Sequence, residues 1–141
     1  MGEVQVTSHA SEVRRRLRDA MEKAAKMIGG TVESHAKEYC PVDTGLLRNS
    51  ITYALSGQPA NNVGYANNSG ENIGGYAGSA PQSSSDDQVT VYVGTNVYYA
   101  PYQELGAPSI NLPAQPYLRP AFENHTSEIK QIIQMNMRSL N

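Results

Sequence analysis

SHASEVRRRLRDAMEKAAKMIGGTVESHAKEY, residues 8–39, is the stretch that decides the fold. Its apolar or small positions are Val13, Leu17, Ala20, Ala24, Ile28, Val32, His35 and Tyr39, which recur every three to four residues as one stripe of a helix. Pro41 disfavours the helical conformation at the residue before it, so the helix ends at Cys40. A straight helix over this stretch would run about 48 Å, whereas a 141-residue globule is roughly 37 Å across. The helix therefore either bends at Gly29-Gly30 or overhangs its own domain, and an overhanging amphipathic helix wants a neighbouring subunit.

Working outward, Val4 and Val6 alternate with polar neighbours, a short-strand pattern. On the other side Ile51, Tyr53 and Leu55 alternate with Thr52 and Ala54, and Val89, Val91 and Val93 with Thr90 and Tyr92; both read as strands. Tyr98 to Leu105 reads as a short helix stopped by Gly106 in a left-handed cap. Pro120 is placed as the first residue of a last helix carrying Phe122, Ile129, Ile132, Ile133, Met137 and Leu140. The expected fold is α+β and a single domain over residues 1–141. A long N-terminal helix and a C-terminal helix pack on a small, mostly antiparallel sheet. Residues 57–87 form a long hairpin loop inserted between two strands.

That loop is a composition shift of its own, with Gly, Asn, Ser and Pro making 18 of its 31 residues. Its sizeable apolar anchors are Val63, Tyr65, Ile73 and Tyr76, too few to bury much surface, so order is expected to come from a neighbouring subunit or tube. On that reading, replacing residues 58–86 by a short turn leaves the melting of the domain nearly unchanged.

Charge is close to balance, 11 Lys+Arg against 13 Asp+Glu, which argues against a general nucleic-acid binder. Between Arg48 and Arg119 the sequence has no Lys or Arg at all, so Glu104 is short of partners and would need Arg48, Arg119 or an arginine of another subunit. Arg14-Arg15-Arg16-Leu17-Arg18 invites a nucleic-acid reading. However, Glu12 precedes Arg16, Asp19 precedes Lys23 and Glu22 precedes Lys26 by four, the favourable spacing for solvated ion pairs, so a charged solvent- or subunit-facing surface is preferred. One cysteine, Cys40, excludes an intrachain disulfide and a cysteine-rich zinc site. No stretch approaches the about 18 apolar residues of a membrane span, and the first residues lack the pattern of a signal peptide. A soluble protein of a reducing compartment is expected.

Chemistry-bearing patterns are sparse. Gly70, Gly74, Gly75 and Gly78 lack the strand, helix and Lys that a phosphate loop needs. His9, His35 and His125 show no ligand spacing among themselves or with acids, and Cys40 has no neighbouring base, so no catalytic, cofactor or metal site is expected. Asp43-Thr44-Gly45 matches the catalytic loop of aspartic proteases, but it occurs once and follows a helix, not a strand. The preferred reading is that Asp43 caps the turn from Thr44 to Ser50 through the amides of Gly45 or Leu46.

Three blocks carry a resemblance to a known family. The first is Cys40-Pro41-Val42-Asp43-Thr44-Gly45-Leu46-Leu47-Arg48-Asn49-Ser50-Ile51. The second is Val93-Gly94-Thr95 followed by Tyr99-Ala100-Pro101-Tyr102-Gln103-Glu104-Leu105-Gly106. The third is Pro113-Ala114-Gln115-Pro116-Tyr117-Leu118-Arg119-Pro120-Ala121-Phe122. In this order they resemble tail-component proteins of long-tailed bacteriophages; the departures are the long 57–87 insertion and Cys40, where the family tends to have a small residue. The resemblance implies a virion structural protein and no enzyme, without cofactors. It is expected in the neck or tail of the particle and assembled in the host bacterial cytoplasm. More finely, it implies a tail-completion protein forming a homo-oligomeric ring, commonly a hexamer, that joins the tail tube or its terminator to the head connector. A tail terminator or head-side stopper ring is the near alternative, and a small nucleic-acid-associated protein using Arg14–Arg18 the distant one. No membrane and no direct nucleic-acid readout is implied. Leu17, Tyr65, Tyr76, Tyr98, Tyr99, Tyr102, Glu104 and Tyr117 are the candidate subunit or partner contacts, and Pro41, Asp43, Thr44, Gly45, Gly106, Pro116 and Pro120 the structural motif positions.

Overall fold

The computed structural model describes residues 2–5, 9–43, 45–62, 64–75, 78–82 and 87–140, with the backbone alone for 72 and 73. The long helix is present as α1, Ala10–Tyr39, 30 residues without interruption at Gly29-Gly30. Cys40 leaves it in an extended conformation, φ −70° and ψ 128°, as the following Pro41 requires. From Ala20 onward the expected stripe mostly faces inward: Ala20, Ala24 and Val32 are buried and Ile28 and His35 half-buried, but Tyr39 is exposed, while Ala25, Gly29 and Ala36, outside that stripe, are buried as well. Before Ala20 it is not, since Val13 is 61% and Leu17 41% exposed. The helix resolves its excess length by overhanging.

Gly29 has another use than bending. A Cβ there would lie 2.5 Å from Cδ2 of Tyr53 and 2.9 Å from Cγ2 of Val91, so the missing side chain is what lets the sheet approach the helix. That sheet consists of β1, Thr52–Leu55, and β4, Val91–Gly94, paired antiparallel with Thr52 opposite Gly94 and Leu55 opposite Val91. The strand expected from Val89 thus begins two residues later. Gly2–Gln5 forms no strand, contrary to the Val4-Val6 pattern, and Val6 lies outside the described residues.

The 57–87 insertion is not a bare loop. Gly57 donates to the carbonyls of Ala80 and Pro81, Ala80 donates to Gln58, and Pro59 bridges Ser79, so its base continues as an antiparallel ribbon. Beyond it a second, separate sheet forms from β2, Gly64–Ala66, and β3, Asn72–Gly75, also antiparallel. Its tip is built locally. The Asn67 side-chain oxygen accepts from the amides of Ser69 and Glu71, each at 3.0 Å, and Gly70 turns the chain at φ 82°.

The remaining elements are helical, joined by irregular stretches. After the first block comes α2, Leu46–Ser50; after β4 come α3, Ala100–Leu105, a single 3₁₀ turn at Pro108–Ile110, α4, Leu118–Glu123, and α5, Thr126–Arg138. The expected last helix therefore starts two residues before Pro120 and breaks at Asn124-His125 into two. Gly106 ends α3 at a positive φ of 79°, but with ψ 172° it is extended onward and not a left-handed helical cap. One core joins these pieces: Val32 and Ala36 of α1, Leu47 of α2, Ile51, Val97, Ala100, Tyr117, Ala121 and Ile129.

Candidate functional site

Each of the three sequence blocks contributes to that core, and their charged and polar groups hold them to one another. In the first block Cys40, Leu47 and Ile51 are buried. Burial pushes the Cys40 thiol up to about 11, against a smaller opposing pull from Arg48, so it stays protonated and is no nucleophile. Gly45, at φ 81°, stands at the N-cap of α2, the place expected for Asp43, and Asp43 itself is exposed. Helices on both sides of it, α1 and α2, also remove the strands that a protease loop requires. Thr44 lies outside the described residues.

The insertion docks on this same block. The Asn68 side chain occupies the place a Cβ of residue 45 would take, and its oxygen accepts from Arg48 at 2.9 Å and from Asn49 at 3.3 Å. Asn49 also donates to the Ala66 carbonyl at 2.9 Å, while Asn96 donates to the Gly75 carbonyl at 2.8 Å and accepts from the Tyr65 hydroxyl. The expectation that an external surface orders the insertion is thus corrected for its described part. Side-chain amides do, by hydrogen bonding to backbone, what its few apolar residues could not.

Glu104 corrects the partner expectation most clearly. Its carboxylate accepts from the amides of Tyr117 at 2.7 Å, Leu118 at 3.0 Å and Arg119 at 2.9 Å, the unsatisfied donors at the start of α4. No arginine is needed, because a helix N-terminus supplies both the donors and the favourable dipole. Within the subunit Glu104 is a cap. Tyr117 leaves the interface set: it is fully buried and its hydroxyl donates to the Ala100 carbonyl at 3.4 Å. Tyr65 and Tyr99 are partly buried against the core. Burial also raises the Tyr99 hydroxyl above its ordinary value, aided by its neighbours Cys40, Tyr98 and Asp43. Tyr76 lies outside the described residues. Pro116 is exposed next to Tyr117, and Pro120 sits within the first turn of α4.

Large apolar side chains remain exposed at several places, Val42, Tyr92, Phe122, Ile133 and Met135 among them; two stretches hold residues expected to make contacts. One is the free N-terminal end of α1 with Val13 and Leu17; the other is Tyr98 at 85%, Tyr102 at 52%, Leu105 at 76% and Ile110 at 71% exposure. Of the basic cluster, Arg16 pairs with Glu12 at 3.1 Å and Arg18 with Glu22 at 3.4 Å, in keeping with a solvated charged face.

Two of the histidines meet although their spacing in the sequence gives no sign of it. His35 of α1 and His125, the residue before α5, stack face to face with ring centroids 3.4 Å apart and 5° between planes. Glu128 reaches both rings, and Tyr39 holds the far nitrogen of His125 at 2.9 Å. Burial lowers the His35 pKa, but hydrogen bonds to Glu128 and Glu38 outweigh it and leave the ring more basic than usual. Separated by 90 positions in the chain, these two histidines gave no motif to read.

With this geometry in hand, the comparison with protein families is decisive: the family described as "Bacteriophage HK97-gp10, putative tail-component" matches residues 5–106. The chain belongs to this family of bacteriophage tail components. No curated protein and no solved structure matches it. The matched span runs from the start of the chain through α3 and takes in the first two blocks; the third block and α5 lie beyond it. The tail component is a structural protein of the virion, and its two matched blocks are the ones that meet at Cys40, Leu47, Ile51 and Ala100 in the core.

Proposed function

We propose that this tail component is a ring-forming tail-completion subunit, which joins the tail tube to the head connector and carries out no catalysis. The observation that carries the proposal is that two of the exposed apolar surfaces of this small subunit, the overhanging end of α1 and the Tyr98–Ile110 stretch, hold the expected contacts Leu17, Tyr98 and Tyr102. Two different patches on one chain suit a head-to-tail contact, which closes into a ring when the rotation between subunits permits. Exposed tyrosines suit such a contact because they bury large area at low entropic cost. Leu17, Tyr98 and Tyr102 are the residues assigned to it.

Light scattering and native mass spectrometry of the purified chain, alone and with tail tubes, test the reading. A closed oligomer that Leu17→Asp and Tyr102→Ala convert to monomer is expected. A concentration-independent monomer under both conditions would dismiss it. In phage carrying Leu17→Asp, filled heads and tails of normal length should accumulate unjoined; tails of abnormal length would point instead to a terminator.

A further inference from the structure

We propose that His35, His125 and Glu128 form a binding site for one divalent transition-metal ion of the zinc class, which staples the C-terminal part of α1 to the start of α5. The ligand atoms are already gathered: one from each residue, all within 4.8 Å of one another. Glu128 Oε2 lies 3.0 Å from His35 Nε2 and 3.6 Å from His125 Nδ1. Bonds of about 2.0–2.1 Å in a tetrahedral site place neighbouring donor atoms about 3.3 Å apart, between these two values.

The outward-facing nitrogens strengthen the assignment. His35 Nδ1 lies 3.4 Å from a Glu38 carboxylate oxygen, and His125 Nε2 lies 2.9 Å from the Tyr39 hydroxyl. A histidine that ligates a metal through one nitrogen commonly donates from the other to a carboxylate or similar acceptor, which fixes its tautomer and orientation. His35 has that second partner in Glu38, and both rings direct the remaining nitrogen at the same carboxylate. Two imidazoles and one carboxylate select zinc, copper or nickel over calcium or magnesium, and leave a fourth position for water.

The side chains of His35, His125 and Glu128 are 18%, 22% and 47% exposed, so an ion can reach them from solvent. Their positions are set by the packing of α1 and α5, in which Ala20, Ala24, Ile129 and Ile132 are buried. One adjustment is required. Nearly parallel rings 3.4 Å apart cannot aim both lone pairs at one ion, so the His125 ring must turn about its Cβ–Cγ bond until its lone pair meets that of His35, giving up the stack, with the Tyr39 hydroxyl either following its Nε2 or losing it. The ion then replaces the proton that His35 shares with Glu128, and affinity falls as pH is lowered.

The test is a calorimetric titration of the full chain, without an affinity tag, with Zn²⁺ at neutral pH, together with the visible spectrum of the Co²⁺ form and the melting temperature with and without Zn²⁺. One ion per chain, a tetrahedral Co²⁺ spectrum and a rise in melting temperature are expected. His125→Asn and Glu128→Gln should each weaken Zn²⁺ binding by about 100-fold or more, and Glu38→Gln by about tenfold; His9→Ala should change nothing. Glu128 is exposed, so Glu128→Gln should keep the wild-type circular dichroism spectrum even if His125→Asn does not. Absence of saturable binding at submillimolar Zn²⁺ would overturn the site. So would binding that survives Glu128→Gln in a folded protein, or that His9→Ala removes.

Discussion

Single residues here do work that their types do not announce. Glu104 joins the second block to the third by accepting three amides at the start of α4, and hydrogen bonds to a charged group are the strong ones. Glu104→Ala should cost about 2–4 kcal/mol in urea unfolding, with Glu104→Gln intermediate because its carbonyl still accepts. Gly29→Ala reverses the usual helix preference. Alanine would gain up to about 1 kcal/mol from propensity, but a Cβ 2.5 Å from the Tyr53 ring forces the sheet away, and a net loss of about 1–3 kcal/mol is expected. Cys40 yields a pH dependence. Its thiol is raised from 9 to about 11 in the folded protein, so above pH 9 the unfolded chain ionises while the folded one does not. Stability present below pH 9 is therefore lost as pH rises towards 11, by at most about 3 kcal/mol. Urea midpoints measured across that window should fall more steeply for the wild type than for Cys40→Ala, and that difference separates the thiol from the raised Tyr99.

At the scale of elements, the insertion is the instructive case. Few apolar residues and many amides suggest a segment that cannot order itself, yet Asn49, Asn68 and Asn96 tie its hairpin to α2 and to the turn after β4. Removing it leaves Arg48, Asn49 and Asn96 without those partners. A chain in which a short Gly-Ser turn replaces residues 58–86 should therefore unfold at lower urea, by about 1–3 kcal/mol, and Asn49→Ala should reproduce about 1 kcal/mol of that loss. An unchanged midpoint would mean that the docking adds nothing. At the break between α4 and α5, tertiary contacts also hold His125, which stacks on His35 and bonds to Tyr39.

At the scale of the whole molecule, length decides. About 45 Å of α1 exceeds what β1, β4, α4 and α5 can cover, so its first turns, with Val13 and Leu17, are left bare. Because Leu17 and Tyr102 are exposed in the single subunit, Leu17→Asp and Tyr102→Ala should leave its unfolding free energy within about 0.5 kcal/mol of wild type while lowering the mass measured by light scattering. A large loss of stability in either would place that residue in the fold and not between subunits.

The sequence by itself determined what depends on near neighbours and on period. The buried stripe from Ala20 to Val32, the stop at Pro41, the alternation around Tyr53 and Val91, and the order of the blocks that mark a phage tail component could all be read from it, because a helix face and a strand face repeat within a few residues. Tertiary structure alone decided what depends on distant residues meeting. The amides that Glu104 caps lie 13 to 15 positions away, the ring packed over Gly29 belongs to Tyr53, and His125 and Glu128 reach His35 only because α5 packs on α1. Backbone donors and ring faces have no letter in a sequence, so a cap, a close approach and a two-helix histidine cluster become visible only once the chain has closed on itself.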